Sequence, residues 1–378
     1  MATNLTGSDL KQKIRIGILF GGRSGEHEVS LMSARSVVRV LDGKRYDVTL
    51  IGITHDGQWL AGDHALDALE KGNTAPLTPV TLLPQAGQRT LFALKDGALT
   101  PYAELDVIFP VLHGTFGEDG TIQGLFELIG LPYVGAGVLG SSVGMDKALF
   151  KDVMRANGIP VLDSIVLTRR AIEQDIETAI AACEKVSAYP LFTKPANLGS
   201  SVGISKVRSR SDLYEGLLEA ARFDRRVLVE RGLDKPREIE VSVLGNDQPI
   251  ASVPGEIRPS DDFYTYNAKY VDDRSELIIP ANLSETQREE IRNLAVAIYQ
   301  AIDCAGMARV DFLYSESSGE IYVSEVNTIP GFTSISMYPK LWEAAGISYP
   351  ELVDRLVSLV LERNADQQRT ERQYRRSA

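Results

Sequence analysis

Cysteine is nearly absent from this 378-residue chain, which has Cys183 and Cys304 alone, each in an apolar helical stretch. Without a CxxC spacing there is no zinc or redox motif, and both thiols read as small buried hydrophobes. Long apolar runs are missing too. No segment approaches the roughly 18 residues of a membrane-spanning helix. The first thirteen residues are polar and lack the apolar core of a secretory signal. A surplus of positive charge is also lacking. The formal net charge is −11, which disfavours nucleic acid and anionic membrane surfaces as partners. No GxxxxGK[ST] sequence occurs, so a nucleotide would not be held by a P-loop. Repeats, heptads and low-complexity tracts are absent. What remains is expected to be a cytoplasmic enzyme. Its 44% apolar and 24% charged residues suit two or three globular domains.

The chain opens as strand, glycine turn and helix. Residues 14–20 form a run that is apolar apart from Arg15, as in a strand buried on both faces. Gly21-Gly22-Arg23-Ser24-Gly25 is the turn, and helical spacing follows from Glu28 to Leu41. Strands at 46–54 and 106–112 and a helix at 122–129 continue the β–α alternation. This predicts an open parallel α/β sheet for a domain at 13–144. Residues 55–105 read as loop. Short strands at 161–167, 191–194, 202–207 and 227–230 predict a small central α+β domain at 145–234. Longer strands at 238–244, 307–314 and 320–326, with a helix at 285–302, predict a C-terminal domain at 235–363 with an antiparallel sheet. Residues 1–12 and 364–378 read as polar tails.

The chemistry begins with Met-Ala-Arg-Val-Asp-Phe (307–312) and Ser-Glu-Val-Asn (324–327). Strand side chains alternate faces, so Arg309 and Asp311 share one face and Glu325 and Asn327 share another. A hairpin that pairs Tyr314 with Tyr322 sets Asp311 opposite Glu325 and Arg309 opposite Asn327. Two carboxylates and an amide suit Mg²⁺, which takes one or two carboxylates and completes its shell with substrate phosphates. The same pattern also describes a solvated charged face. Lys194-Pro-Ala-Asn-Leu-Gly-Ser-Ser-Val-Gly203 runs from a strand end into a small-residue loop whose N–H groups could close over phosphate. Lys147 enters a helix and Glu230 ends a short buried strand; either would also be ordinary on a surface. Gly135-Ala-Gly-Val-Leu-Gly140 matches GxGxxG but lacks a proper strand before it and an acid about 20 residues on, so no nicotinamide site is expected.

Taken in order, these segments resemble the D-alanine–D-alanine ligases of the ATP-grasp superfamily, from Gly21 to about Tyr349. The likeness is carried by Gly-Gly-Arg-Ser-Gly-Glu-His-Glu-Val-Ser (21–30), His-Gly-Thr-Phe-Gly-Glu-Asp-Gly (113–120), the 194–203 loop, Arg-Glu-Ile-Glu (237–240) and Asn-Thr-Ile-Pro-Gly-Phe-Thr (327–333). It implies an ATP-grasp fold of three domains. It implies ligation of two D-alanine molecules through a D-alanyl phosphate, with ADP and phosphate released, for peptidoglycan precursors. ATP, two Mg²⁺ or Mn²⁺ ions, an optional monovalent cation and a homodimer are implied with it.

The resemblance also implies roles. Lys147 and Lys194 would bind the ATP phosphates, helped by Ser200, Ser201 and Lys269. Glu230 would accept from the adenine amino group and Glu238 from the ribose. Asp311, Glu325 and Asn327 would hold the metals, with Glu325 bridging. Glu26 would grip the ammonium of the first D-alanine, with His113 nearby. Ser336 and the backbone of Met337 would take the carboxylate of the second. Arg309 and the N–H of Gly331 would stabilise the oxyanion. Lys269 and Tyr270 belong to an implied lid at 254–275, latched by a Ser200–Tyr270 hydrogen bond linked to Glu26. An acyl phosphate hydrolyses in water, which is why a lid is needed. No histidine lies between 254 and 275, which implies D-alanine rather than D-lactate as the second substrate. Two rival readings are a different ATP-grasp carboxylate–amine ligase and a nucleotide-binding regulator without turnover.

Overall fold

The computed structural model describes residues 13–258, 276–333 and 335–371. Strand β1 (Ile14–Gly21) lies between β2 (Tyr46–Ile53) and β7 (Val107–Pro110), and all three run parallel. From Ile16 to Phe20 it carries no polar side chain because both faces are covered; Arg15 at its start pairs with Asp106. Ile16, Ile18 and Phe20 pack with Ala34 and Val37 of the helix His27–Val40. Leu19 packs with Phe126 and Ile129 of the helix Thr121–Ile129 on the other side.

Beyond β2 the sheet changes character. β3 (Trp59–Ala61), β4 (Thr78–Leu82), β5 (Thr90–Lys95) and β6 (Ala98–Glu104) follow, each antiparallel to its neighbour. The sheet is therefore mixed, where the sequence predicts a parallel one, and residues 55–105 are strand-rich rather than loop. Their pattern is weak for a physical reason. β3 is three residues long, and β6 is exposed along nearly its whole length, so neither shows an alternating apolar face. The GxGxxG segment serves packing. Gly140 sits in the helix Val138–Met145, where a Cβ would lie 3.1 Å from the Asp303 carbonyl oxygen.

The second sheet is antiparallel, in the order β10-β9-β11-β8: β8 (Ser164–Thr168), β9 (Leu191–Pro195), β10 (Ser205–Val207) and β11 (Arg226–Arg231). The strand expected from 202 starts at Ser205. Ser200 and Ser201 before it adopt left-handed φ of 52° and 58°. The third sheet has six strands: β12 (Arg237–Gly245), β13 (Ile250–Ala251), β14 (Gly255–Arg258), β15 (Glu276–Ile278), β16 (Gly306–Tyr314) and β17 (Ile321–Asn327). One face, with Ile239, Val241, Val310 and Val323, is buried under the helix Glu285–Ala301. That helix starts at a complete capping box, Ser284 with Gln287.

The last helix, Tyr349–Gln367, runs past Asn364, where a tail was expected to begin. It also crosses the expected domain division. Leu352, Val353, Leu356, Val357 and Val360 join the same core as Ile16, Ile18 and Phe20. At roughly 1.5–3 kcal/mol for each fully buried side chain, this is a structural part of the first domain. Tyr46 fixes its orientation by donating to Asp354 Oδ1 at 2.6 Å.

Candidate active site

The second and third sheets face each other across a cleft of about 590 Å³. Eight of the residues singled out in the sequence line it: Lys147, Lys194, Ser200, Ser201, Glu230, Glu238, Asp311 and Glu325. Lys147 is the first residue of the helix Lys147–Ala156, whose N-cap Asp146 accepts from the Leu149 N–H at 2.9 Å. The same Asp146 pairs with Arg226, and the Lys147 N–H donates to the Ala196 carbonyl at 2.8 Å. Its ammonium thereby reaches the Leu198 carbonyl at 2.7 Å and Glu325 at 3.7 Å.

Glu230, 2% exposed, sits at the back of the cleft. Lys194 donates to its Oε2 at 2.6 Å, and Lys151, 1% exposed, pairs with its Oε1. Burial pushes this carboxyl up, but the two lysines outweigh it and pull it down to about 2. Lys151 was not singled out in the sequence. The available signal was a second lysine inside the buried stripe Lys147, Phe150, Lys151, Met154.

The charged face of the third sheet forms a cross-strand row. Glu240 pairs with Asp311, and Asp311 with Glu325; Arg309 lies opposite Asn327. Arg309 is bidentate to Asp311, with both contacts at 2.7 Å, and 2.9 Å from Glu240. The Asn327 amide donates to Asp311 Oδ2 at 2.9 Å. These pairings match the expected ones, but the hairpin register does not. Tyr314 lies opposite Ile321, not Tyr322, and a one-residue bulge between Asp311 and Phe312 absorbs the difference. Glu240 has no role in the sequence reading although it lies in a quoted motif. Among the described residues, no three His, Cys, Asp or Glu side chains are arranged to hold a metal by themselves.

A second corner adjoins the cleft. Glu26 stands at the N-cap position of the helix His27–Val40, with its side chain not used for capping, and is 7% exposed. Ser200 Oγ donates to its Oε1. Two glycines from different loops back onto the other oxygen: a Cβ on Gly114 would lie 2.5 Å from Oε2 and one on Gly199 3.0 Å from it. This close approach explains glycine in both motifs. The Glu26–Ser200 link is present. Lys269 and Tyr270 lie outside the described residues, as does the expected lid from 259 to 275; its first residues, Gly255–Arg258, are strand β14.

His113 is 4% exposed with both ring nitrogens engaged, Nδ1 at 3.0 Å from the Ile329 carbonyl and Nε2 at 3.0 Å from Ser33 Oγ. Burial keeps its pKa below the usual histidine range. It is a strut between the first domain and the 327–333 loop. Glu118 is a second strut, missed in the sequence. Its carboxylate accepts from Gly114 N at 2.7 Å and Ile329 N at 3.1 Å. Burial, then the nearby Glu26 charge, raise it to about 8, against the pull of those two donors. Beyond this loop Ser336 stands at the N-cap position of the helix Met337–Ala344, but its Oγ accepts from Thr333 N at 3.1 Å instead of capping the helix. Gly331 packs against it, where a Cβ would lie 2.8 Å from Ser336 Oγ. The N–H groups at that helix start suit a carboxylate. The Met337 side chain itself is buried.

Comparison with known proteins gives the family. The family described as D-ala D-ala ligase N-terminus matches residues 15–136, and that described as D-ala D-ala ligase C-terminus matches residues 153–358. The D-alanine–D-alanine ligase of Natranaerobius thermophilus is 47% identical over 371 residues, covering 97% of this chain and 100% of that protein. That of Ruminiclostridium cellulolyticum is 50% identical over 375 residues, covering 96% and 98%. Among solved structures, the D-alanine–D-alanine ligase of Coxiella burnetii superposes with a TM-score of 0.80 at 37% identity, covering 94% and 96%. A D-Ala:D-Ser ligase of Enterococcus faecalis gives 0.82 at 36%, covering 92% and 100%. With both halves matched and relatives alike over nearly the full length, the chain belongs to the D-alanine–D-alanine ligase family.

Proposed function

We propose that this chain joins two molecules of D-alanine at the expense of ATP, through a D-alanyl phosphate, to supply the dipeptide of peptidoglycan precursors. One observation carries the reading. Ser200, in the small-residue loop that borders the cleft, holds the carboxylate of Glu26. A phosphate-binding loop is thereby joined to an anion suited to a substrate ammonium.

The roles are those the family resemblance implies, and the placement of the residues around the cleft supports them. Glu26 holds the ammonium of the first D-alanine, so its carboxylate faces the cleft. Lys147 and Lys194 neutralise the phosphates, Glu238 takes the ribose, and Glu230 accepts from the adenine amino group. Transfer of a phosphoryl group needs positioning and charge neutralisation more than covalent help. Asp311, Glu325 and Asn327 offer two carboxylates and an amide oxygen, a donor set that fits Mg²⁺ completed by nucleotide oxygens, with Glu240 behind them. Bound there, Mg²⁺ supplies Lewis-acid neutralisation of the phosphates. Arg309 and the Gly331 N–H stabilise the oxyanion when the second amine attacks. Ser336 and the Met337 N–H hold the second carboxylate. His113 keeps the substrate wall in place. The reading includes a cytoplasmic setting and a homodimer, the latter checked by light scattering.

ADP release with ATP, Mg²⁺ and single amino acids tests it. Release is expected with D-alanine and not L-alanine; release without an amino acid, or with L-amino acids only, would sink the reading. A second reading has one observation in its favour, the likeness to a D-Ala:D-Ser ligase. Mass analysis of the product from mixed D-alanine and D-serine decides between them.

A further inference from the structure

Lys151 is a fully buried cation to which the reaction assigns nothing. It lies one turn along the helix Lys147–Ala156 from Lys147 and does not line the cleft. It meets Glu230 from behind, while Lys194 meets it from the cleft side. Lys194 thus has two claims on it, Glu230 and the phosphates. A carboxylate that is 2% exposed cannot give up its counter-charge unless another stays, since a buried unpaired charge is strongly unfavourable. Lys151 does not line the cleft, and among the described residues its anionic partner is Glu230.

We propose that Lys151 is a positioning residue for the nucleotide: it stays with Glu230 when Lys194 turns to the phosphates, and so keeps Glu230 a pure hydrogen-bond acceptor that selects a 6-amino purine over a 6-oxo purine. The inference rests on the ATP reading above. Its chemistry is simple. An ionised carboxylate only accepts, so it fits the adenine amino group and opposes the carbonyl oxygen of hypoxanthine. A protonated carboxyl could donate to that oxygen. Lys194 tied to Glu230 would meanwhile be lost to the phosphates.

The test uses the full-length enzyme with ATP and with inosine triphosphate at saturating D-alanine, for wild type, Lys151→Met and Lys151→Arg. Lys151→Met is expected to raise KM for ATP by about tenfold and to narrow the ATP-to-inosine-triphosphate ratio of kcat/KM by about tenfold. KM for D-alanine should not move, and Lys151→Arg should keep most of the preference. A Lys151→Met enzyme with wild-type KM for ATP and wild-type preference overturns the proposal alone. So does one that loses kcat and D-alanine affinity with the nucleotide ratio intact, which marks a merely structural lysine. A wild-type enzyme indifferent to the purine refutes instead the adenine role of Glu230, and the proposal with it. If Lys151→Met is insoluble, thermal unfolding of Glu230→Gln with and without Lys151→Met decides. The double variant, with neither charge buried, is expected to be the more stable; if it is the less stable, the pairing is refuted.

Discussion

Replacing Gly114 by alanine adds one carbon at the tightest point around Glu26. Gly114 has a φ of +75°, and its Cβ would lie 2.5 Å from Glu26 Oε2. The left-handed backbone costs an L-residue about 1–2 kcal/mol. The steric contact acts differently, because the atom it meets is the end of a side chain. The fold yields easily there, and the displacement falls on Glu26. That carboxylate has little room, since Ser200 holds one oxygen and Gly199 closes on the other. A shift of about 1 Å in a positioning group costs on the order of 10²-fold in rate. Gly114→Ala is therefore expected to lower kcat/KM for D-alanine by about 10²-fold while stability falls by about 1–2 kcal/mol. Gly72 is the control: its φ is +64°, and no atom lies within 4 Å of the added carbon. Gly72→Ala should show the same stability loss with normal kinetics. Urea unfolding and initial rates with D-alanine varied read both quantities. Normal D-alanine kinetics in Gly114→Ala, or equal impairment in Gly72→Ala, refutes the assignment of the corner.

Glu325→Gln is expected to lower kcat by about three orders of magnitude, because a metal-binding carboxylate acts mainly in the transition state; near-normal turnover would remove it from the metal set. Ser200→Ala should raise KM for D-alanine by about tenfold, and less than additively in a Gly114→Ala background, because both act through Glu26. Full additivity would mean that they act separately. Glu118 titrates at about 8 in the folded chain against 4.5 ordinarily, so the folded state holds its proton more tightly. Stability should then fall as pH rises between those two values, and Glu118→Gln, neutral throughout, should flatten that slope in melting temperature against pH. An unchanged slope would place the proton elsewhere.

The parts of the site most legible in the sequence are those where close approach disfavours a side chain. Gly114 and Gly199 leave room for the Glu26 carboxylate, and the quoted motifs record that. The struts were harder. Glu118 and His113 act through backbone groups of residues 114 and 329, and a backbone partner leaves no trace in side-chain identity. The last helix carries an ordinary amphipathic pattern, which says that one face is buried but not against which sheet. Its partner, β1, lies more than three hundred residues earlier in the chain.

The carboxylate row shows where such information does reside. In β17, Ile321 and Val323 face the core, so strict alternation would bury Glu325 beside them. An unpaired buried carboxylate is too unfavourable to persist in a stable sheet. The strand resolves the conflict by inserting Ser324 as an extra residue. The core positions become Ile321, Val323 and Val326, and Glu325 turns to the cleft opposite Asp311. Pairing from Tyr314 inward reaches the right partners by way of a wrong first pair, because the bulge lies between them. The helix Lys147–Ala156 poses the same conflict with Lys151 and resolves it by a different route, supplying Glu230 as a buried partner instead of turning the lysine outward. In both elements the break in apolar periodicity marks a charge that the fold had to accommodate: Glu325 lines the cleft, and Lys151 lies behind Glu230, which lines it.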